Sequence, residues 1–487
     1  MTDFHHFIDN RPVGPDGGRF LPVLNPSDGQ PFARIARGDA HDVGLAVAAA
    51  RRAFDGSGGW PMRGPWGAMP AAERGRLLLR LAVRLADHRD ELAELESRDT
   101  GKPTRQAIAD ASALARYFEF YGGAADKLHG QTLPYQDGYT VLTVREAHGV
   151  TGHIIPWNYP MQIFGRSVGA SLAAGNACVV KPAEDACLSL LRIAQIAADC
   201  GLPDGALNIV TGLGAEAGQA LAAHPGIDHL SFTGSGPTGE RVSQAAASHC
   251  CPVTLELGGK SAHLVFDDAD LEQAVPVIVN AIIQNGGQTC SAGSRVLVHR
   301  SRHAELAERL AGVFAGLTTD RATRDADLGP LINARQSDRV AGFLTLAAND
   351  GLPELARSRL ADDLPAGGFY QPAVLLDEVP PTHPIAQQEV FGPVLAIMAF
   401  EHDEQAVQLA NGTRYGLVSG VWSRDGARQM RLARAMRCGQ VFINNYGAGG
   451  GVELPFGGMK HSGFGREKGF EALYGFTTLK TIAIKHG

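Results

Sequence analysis

Val150-Thr-Gly-His-Ile-Ile-Pro-Trp-Asn-Tyr-Pro160 begins the stretch that decides the fold. A β-prone run, Val150–Ile155, enters a proline-bracketed turn, and a helical pattern starts near Pro160. The rhythm then repeats. Short β-rich runs recur at 178–180, 207–210, 229–232 and 253–257, with helical stretches between the first four and another leading into the fifth. Strands alternating with helices predict βαβ units and a parallel sheet. Such sheets bind ligands beyond the carboxyl ends of their strands, so the residues just after each run carry the functional weight.

Downstream, a second α/β region follows, with strands at 263–266, 295–299, 373–376 and 441–444 and a helix over 271–284. Upstream, the first quarter reads as helical. Asp39 can cap a helix that puts Val43, Val47, Ala50 and Phe54 on one face; longer helices cover 71–98, stopping near Gly101 and Pro103, and 104–121. Two segments look like extensions: a hairpin over 131–145, turning at Asp137-Gly138, and a β-prone run at 477–485 expected to pair with another subunit. The expected class is α/β.

The chain has 487 residues, too many for one compact core, and its 44% hydrophobic and 20% charged residues are ordinary for a globular protein. The net charge is −7, without long blocks of one sign, which argues against nucleic acid. The arginines between Arg74 and Arg84 alternate with leucines at helical spacing and read as the wet face of a helix. No apolar signal segment opens the sequence and no run of 18 apolar residues occurs, so neither export nor a membrane partner is expected. Seven scattered cysteines without Cys-x-x-Cys suggest neither disulfides nor a metal, which fits a cytoplasmic protein. His5 and His6 read as solvated terminal residues.

Several strand-end motifs carry chemistry. Gly286-Gly-Gln-Thr-Cys290-Ser sets a cysteine in a glycine-rich loop between a helix and a strand, where a thiol can be exposed and reactive, although a lone cysteine is more often a small core residue. Glu256 ends an apolar strand in Thr254-Leu-Glu-Leu-Gly-Gly-Lys260; it is a general-base candidate with a raised pKa, or else a carboxylate paired with Lys260. Asn158 can cap the helix after it or donate to an oxyanion. Val180-Lys181-Pro-Ala-Glu184 offers a cation and an anion, and Phe232-Thr-Gly234-Ser235 opens a helix whose N-terminus suits a phosphate. Gly212-Leu-Gly-Ala-Glu-Ala-Gly218 has one residue too many for the dinucleotide fingerprint and reads as a strand–helix turn.

Taken in order, Trp157-Asn158, Lys181-Pro-Ala-Glu184, Phe232-Thr-Gly-Ser235, Glu256-Leu-Gly-Gly-Lys260, Gly287-Gln-Thr-Cys290, Glu389-Val-Phe391-Gly-Pro393 and Pro455-Phe-Gly-Gly458 resemble the NAD(P)-dependent aldehyde dehydrogenase superfamily across nearly the whole chain. The resemblance implies that Cys290 attacks the aldehyde carbon, that Asn158 and the Cys290 N–H form an oxyanion hole, and that Glu256 activates the water that hydrolyses a thioester. It also implies cofactor contacts at Ile155, Pro156, Trp157, Lys181, Glu184, Gly234, Ser235, Leu257, Glu389 and Phe391. Glu184 accepts from ribose hydroxyls and repels an extra phosphate, which favours NAD over NADP. Three units are expected: a Rossmann-like NAD-binding domain over 1–128 and 148–258, a catalytic domain over 259–460, and a small β oligomerisation element over 129–147 and 474–487, giving a homodimer or homotetramer.

On the helix after Asn158, Tyr159, Gln162, Ile163 and Arg166 share the face expected to line the substrate tunnel. Arg166 resembles the arginine of the succinic semialdehyde dehydrogenase branch and suggests an ω-carboxy aldehyde, or else it is a structural arginine paired with an acid elsewhere; that branch's second arginine is Gln284 here. Tyr446-Gly-Ala-Gly-Gly-Gly451 reads as a wide tunnel mouth, and Glu467 matches a proposed proton-relay position whose lysine partner is Ser167 here. Rival readings are a broad-specificity aliphatic or aromatic aldehyde dehydrogenase, a CoA-acylating relative, against which Glu256 argues, and a non-catalytic protein on the same fold, against which Cys290 and Asn158 argue.

Overall fold

The computed structural model describes residues 1–57, 63–447 and 451–486. Its first large sheet is built from the repeating rhythm. Strands β1 (Val150–Ile155), β2 (Ala177–Pro182), β3 (Leu207–Ile209), β4 (His229–Thr233) and β5 (Val253–Glu256) are parallel, and helices α1 (Pro160–Ala174) and α2 (Gly236–Ala247) follow β1 and β4. The spatial order is β5-β4-β1-β2-β3. Strand order therefore reverses between β1 and β4, which opens a crevice at their carboxyl ends.

Both edges of this sheet carry antiparallel additions. His6–Ile8 and Arg11–Val13 continue it beyond β3, and Gly463–Phe464 lies beside β5. The first quarter is thus not wholly helical: a further small sheet joins Thr2–Phe4, Gln30–Ala36 and Phe20–Asn25. His6 is fully buried, accepts from the Thr211 N–H at 3.2 Å and lies 3.5 Å from Asp42, which corrects the solvated reading. Asp39 caps Ala40–Asp55 through a reciprocal capping box with Asp42. The helix expected over 71–98 breaks at His88 into Ala71–Asp87 and Arg89–Thr100.

In the second large sheet, β6 (Ala262–Val265), β7 (Arg295–His299), β8 (Val374–Leu376), β9 (Val394–Phe400), β10 (Val418–Trp422) and β11 (Gln440–Ile443) are parallel in the order β8-β9-β7-β6-β10-β11. Helix α3 (Leu271–Ile283) joins β6 to the loop before β7. Alternation sends Leu264, Leu297, Ala396 and Val421 into one core and Val265, Val296, Val298, Leu395, Ile397 and Trp422 into another. A sheet covered on both faces needs apolar residues at every position, which explains why these runs read as continuous.

The run Thr477–Lys485 pairs antiparallel along its whole length with Tyr139–Ala147 of its own chain, whose other edge takes Thr132–Leu133. It forms one edge of this small sheet, so its second edge stays open to the expected pairing with another subunit. Among the described residues no helix is long and apolar enough to cross a membrane.

Candidate active site

The site collects residues from the ends of both large sheets around a cavity of about 500 Å³. Its wall includes Asn158, Tyr159, Gln162, Ile163 and Arg166 on one side and Thr289, Cys290 and Ser291 on the other. Helix α1 starts at Pro160, a residue pre-set for the first helical turn, and all of it except Gln162 is buried. The face expected to line a tunnel is the face that reaches the cavity.

Cys290 is carried by a strained loop. After α3, Asn285, Gly286 and Gly287 all have positive φ (49°, 61° and 72°). A side chain at Gly287 would collide with the backbone of Gly392, so this position requires glycine twice over. Cys290 is half-buried, and burial pushes its thiol up to about 12, with the Arg166 guanidinium pulling the other way. Asn158 is 4% exposed and its Nδ2 donates to the Gln288 carbonyl at 3.0 Å, so the amide sits against the loop that delivers Cys290. The Tyr159 hydroxyl bonds Thr289 Oγ1 at 2.9 Å, which ties α1 to the same loop.

Glu256 ends β5. It is 1% exposed, and among the described residues neither carboxylate oxygen has a hydrogen-bond partner. Burial pushes its pKa well above the carboxylate range, opposed by Arg166 and reinforced by Glu467. It is not paired with Lys260, whose buried ammonium is pushed down to about 7 by desolvation.

Arg166 contacts Glu467 as a buried ion pair, and its Nη2 donates to Thr233 Oγ1 at 3.1 Å. The other Glu467 oxygen accepts from Ser231 Oγ at 2.7 Å. The guanidinium also lies 5.0 Å from the Phe456 ring, with the Lys468 ammonium 5.9 Å from the same ring. The structure bears out the alternative to the anchor reading, an arginine paired with an acid: Arg166 lines the cavity with its charge already balanced by Glu467. Ser167, at the position expected for a relay lysine, donates to the Ile163 carbonyl within its helix.

The expected cofactor residues cluster at the crevice and the loops beside it. Ile155 is buried, its carbonyl accepting from Ala183 N at 2.8 Å; Pro156 is half-buried. Trp157 meets Phe391 edge to face, 5.4 Å between centroids. Lys181 Nζ donates to Glu184 at 2.9 Å; burial raises this carboxyl, but Lys181 outweighs burial and holds its pKa low. Gly234 N donates to the Glu256 carbonyl at 3.0 Å, and Ser235 stands at the N-terminus of α2, its hydroxyl bonding Thr238 rather than the backbone. Leu257 N donates to the Ser462 carbonyl at 3.0 Å. Glu389 accepts from Gly259 N at 2.9 Å, and desolvation pushes it up to about 7.

A family model described as the aldehyde dehydrogenase family matches residues 13–482. The chain belongs to the aldehyde dehydrogenase family. It is 41% identical over 482 residues, 98% of this chain and 86% of the relative, to aldehyde dehydrogenase family 2 member B4, mitochondrial, of Arabidopsis thaliana. A crystal structure from Burkholderia cenocepacia, provisionally named an aldehyde dehydrogenase, matches with 67% identity and a TM-score of 0.97 over 99% of this chain and 100% of that one. PnpE of Pseudomonas sp. WBC-3, in complex with nicotinamide adenine dinucleotide, matches with 39% identity and a TM-score of 0.95 over 99% of this chain and 98% of that one.

For a member of this family, the sequence had missed the roles of Ser231, Lys102 and Lys468, and those of Thr233 and Phe456, which stood inside quoted motifs without a role of their own; each is joined to the site by a contact between residues distant in sequence. Part of the expected tunnel mouth, 448–450, lies outside the described residues.

Proposed function

We propose that this aldehyde dehydrogenase oxidises an aldehyde to a carboxylic acid with NAD, through a covalent intermediate on Cys290. The observation that carries the reading is the convergence of a cavity cysteine, an adjacent buried amide and a buried carboxylate without a partner among the described residues. In this reading Cys290, as thiolate, adds to the carbonyl carbon. Asn158 Nδ2 and the Cys290 N–H then donate to the oxyanion. When the oxyanion collapses, the carbon gives up hydride and becomes a thioester. Glu256 takes a proton from water as the water oxygen adds to the thioester carbon; the C–S bond then breaks, which returns the thiolate to Cys290 and frees the acid.

The residues at the ends of β2 and β4 fit a dinucleotide. Glu184 is a partly exposed carboxylate suited to ribose hydroxyls, and α2 presents its N-terminus and the Ser235 hydroxyl to a pyrophosphate. Trp157, Glu389 and Phe391 would border the nicotinamide end. NAD, when bound, supplies the hydride acceptor. Glu184 disfavours the extra phosphate of NADP. The division into an NAD-binding domain (1–128, 148–258), a catalytic domain (259–460) and an oligomerisation element (129–147, 474–487) belongs to the same reading. So does a homo-oligomer, supported by the exposed Leu479, Ile482 and Ile484 of the last strand.

For the substrate, an aldehyde carrying a carboxylate is favoured by two cations on the cavity wall, Arg166 and Lys468. Replacing Arg166 would strand the buried Glu467 carboxylate, so Lys468 is the residue to vary. NADH formation over a panel of neutral aldehydes and semialdehydes of increasing length, without CoA, tests the whole reading. Cys290→Ala should abolish turnover of every member. Lys468→Met should raise KM for acidic aldehydes by about tenfold or more, the worth of a charge-assisted hydrogen bond, and leave hexanal unchanged. Equal effects on both classes would remove the substrate assignment and keep the chemistry.

A further inference from the structure

Behind the cavity, and not part of its wall, lies a saturated buried ammonium. Lys102 follows the left-handed Gly101 that ends Arg89–Thr100 and precedes Pro103 at the start of Thr104–Ala124. Both ends of its peptide are tied: its N–H donates to Thr100 Oγ1 at 3.3 Å and its carbonyl accepts from Ser97 Oγ at 2.8 Å. Its side chain is fully buried, and Nζ donates to Glu96 Oε1 at 2.7 Å, Asp110 Oδ2 at 2.5 Å and the Asn158 carbonyl at 3.1 Å. The three donors of a protonated lysine match these three acceptors. Burial alone would lower its pKa, but Asp110 and Glu96 overcome that and keep the ammonium charged.

Every partner of Lys102 also holds the turn between β1 and α1. Glu96 Oε2 accepts from Met161 N at 3.1 Å, and Asp110 Oδ1 accepts from Gln162 Nε2 at 2.5 Å. The Tyr159 ring lies 4.4 Å from Nζ. The Asn158 carbonyl takes a second donor, Asn285 Nδ2, at 2.8 Å, and Asn285 belongs to the loop that delivers Cys290. The peptide after Asn158 is thus clamped from two sides, one by a charge and one by the nucleophile loop.

We propose that Lys102 is a positioning residue for the oxyanion donor: it fixes the backbone of Asn158 so that the side-chain amide stays aligned with Cys290. The proposal rests on the catalytic reading of Asn158 and Cys290 above. Lys102 touches neither substrate nor cofactor and acts only through Asn158 and its turn. A buried salt-bridge cluster contributes little net stability, so geometry at the site is the better account of its use here. Misplacement of a reacting group by about 1 Å can cost on the order of 100-fold in rate.

A double-mutant cycle on the full chain tests this, with kcat, aldehyde KM, NAD affinity and thermal midpoint measured for each variant. Lys102→Met should lower kcat by about 10- to 100-fold with aldehyde KM and NAD affinity nearly unchanged. In an Asn158→Ala background it should lower kcat by less than about threefold, because the group it positions is gone. A merely structural role would lower kcat equally in both backgrounds, and that additivity overturns the proposal. Should Lys102→Met fail to fold, Asn285→Gly removes the other donor to the Asn158 carbonyl without touching the charges and keeps a positive φ permissible; the same non-additivity is expected. An unchanged kcat in Asn158→Ala itself would overturn the site reading and this proposal together, whereas additivity overturns this proposal alone.

Discussion

Glu467 sits at full burial with one oxygen on Arg166 and the other on Ser231, so its charge is matched inside the protein. Removing one partner of a buried pair leaves the other charge uncompensated, which costs about 3–5 kcal/mol. Glu467→Gln should therefore lower unfolding stability by that order in urea titrations, and it should lower activity toward neutral aldehydes more than toward acidic ones, since it frees an arginine in the cavity wall. Full stability in this variant would mean that the pair is not buried as described. At the same scale, Cys290, Asn158 and Glu256 were legible as candidates because each follows a strand or a glycine-rich loop. Arg166 was legible as a cavity residue from helical spacing, but which acid it pairs with was not: Glu467 lies on a separate C-terminal loop, and only the fold brings the two together.

At the level of elements, the parallel strands of the first sheet and four of the second were legible with errors of a residue or two at their ends, because β-rich runs bounded by turns repeat so regularly, whereas Val394–Phe400 and Val418–Trp422 were not read. The N-terminal strands were not: Thr2–Phe4, His6–Ile8 and Arg11–Val13 have three residues each and form only because larger sheets offer them an edge. The break at His88 was hidden because arginines, acids and leucines continue the helical pattern on both sides. The last strand is joined to the first sheet through Phe476, against which His229 and His153 pack at 5.1 and 5.6 Å, with His148 stacked on His229 at 5.0 Å. Burial lowers the pKa of all three, His153 to about 3 and His229 well below its usual value. In the unfolded chain they titrate near ~6.5. A depressed folded value means that the stability of the neutral cluster is fully present above ~6.5 and is lost as pH falls from there toward 3. Thermal midpoints should drop between pH 7 and pH 5, and they should drop less in His153→Leu. An identical pH slope in the two proteins would show that carboxylates elsewhere control the acid limb.

The whole molecule matters because neither large sheet holds a complete site. The first contributes Asn158, Thr233 and Glu256 at the ends of adjacent parallel strands, and the loop before β7 of the second contributes Cys290. Strand order in the first sheet sets the crevice between β1 and β4, and the hydrogen bonds from Asn158 to Gln288 and from Tyr159 to Thr289 join the two sheets across it. In the proposed mechanism, capture of the aldehyde falls to Cys290 and release of the acid to Glu256, whose burial demands a pH above its raised pKa for base function. The most direct test is intact-protein mass spectrometry of Glu256→Gln mixed with NAD and hexanal, with NADH followed in parallel. The account predicts one rapid NADH per site, a steady rate lowered by about 100-fold or more, and one acyl group that maps to Cys290 and is absent when Cys290 is also alanine. Sustained NADH turnover at the parent rate, with no adduct on Cys290, would contradict it.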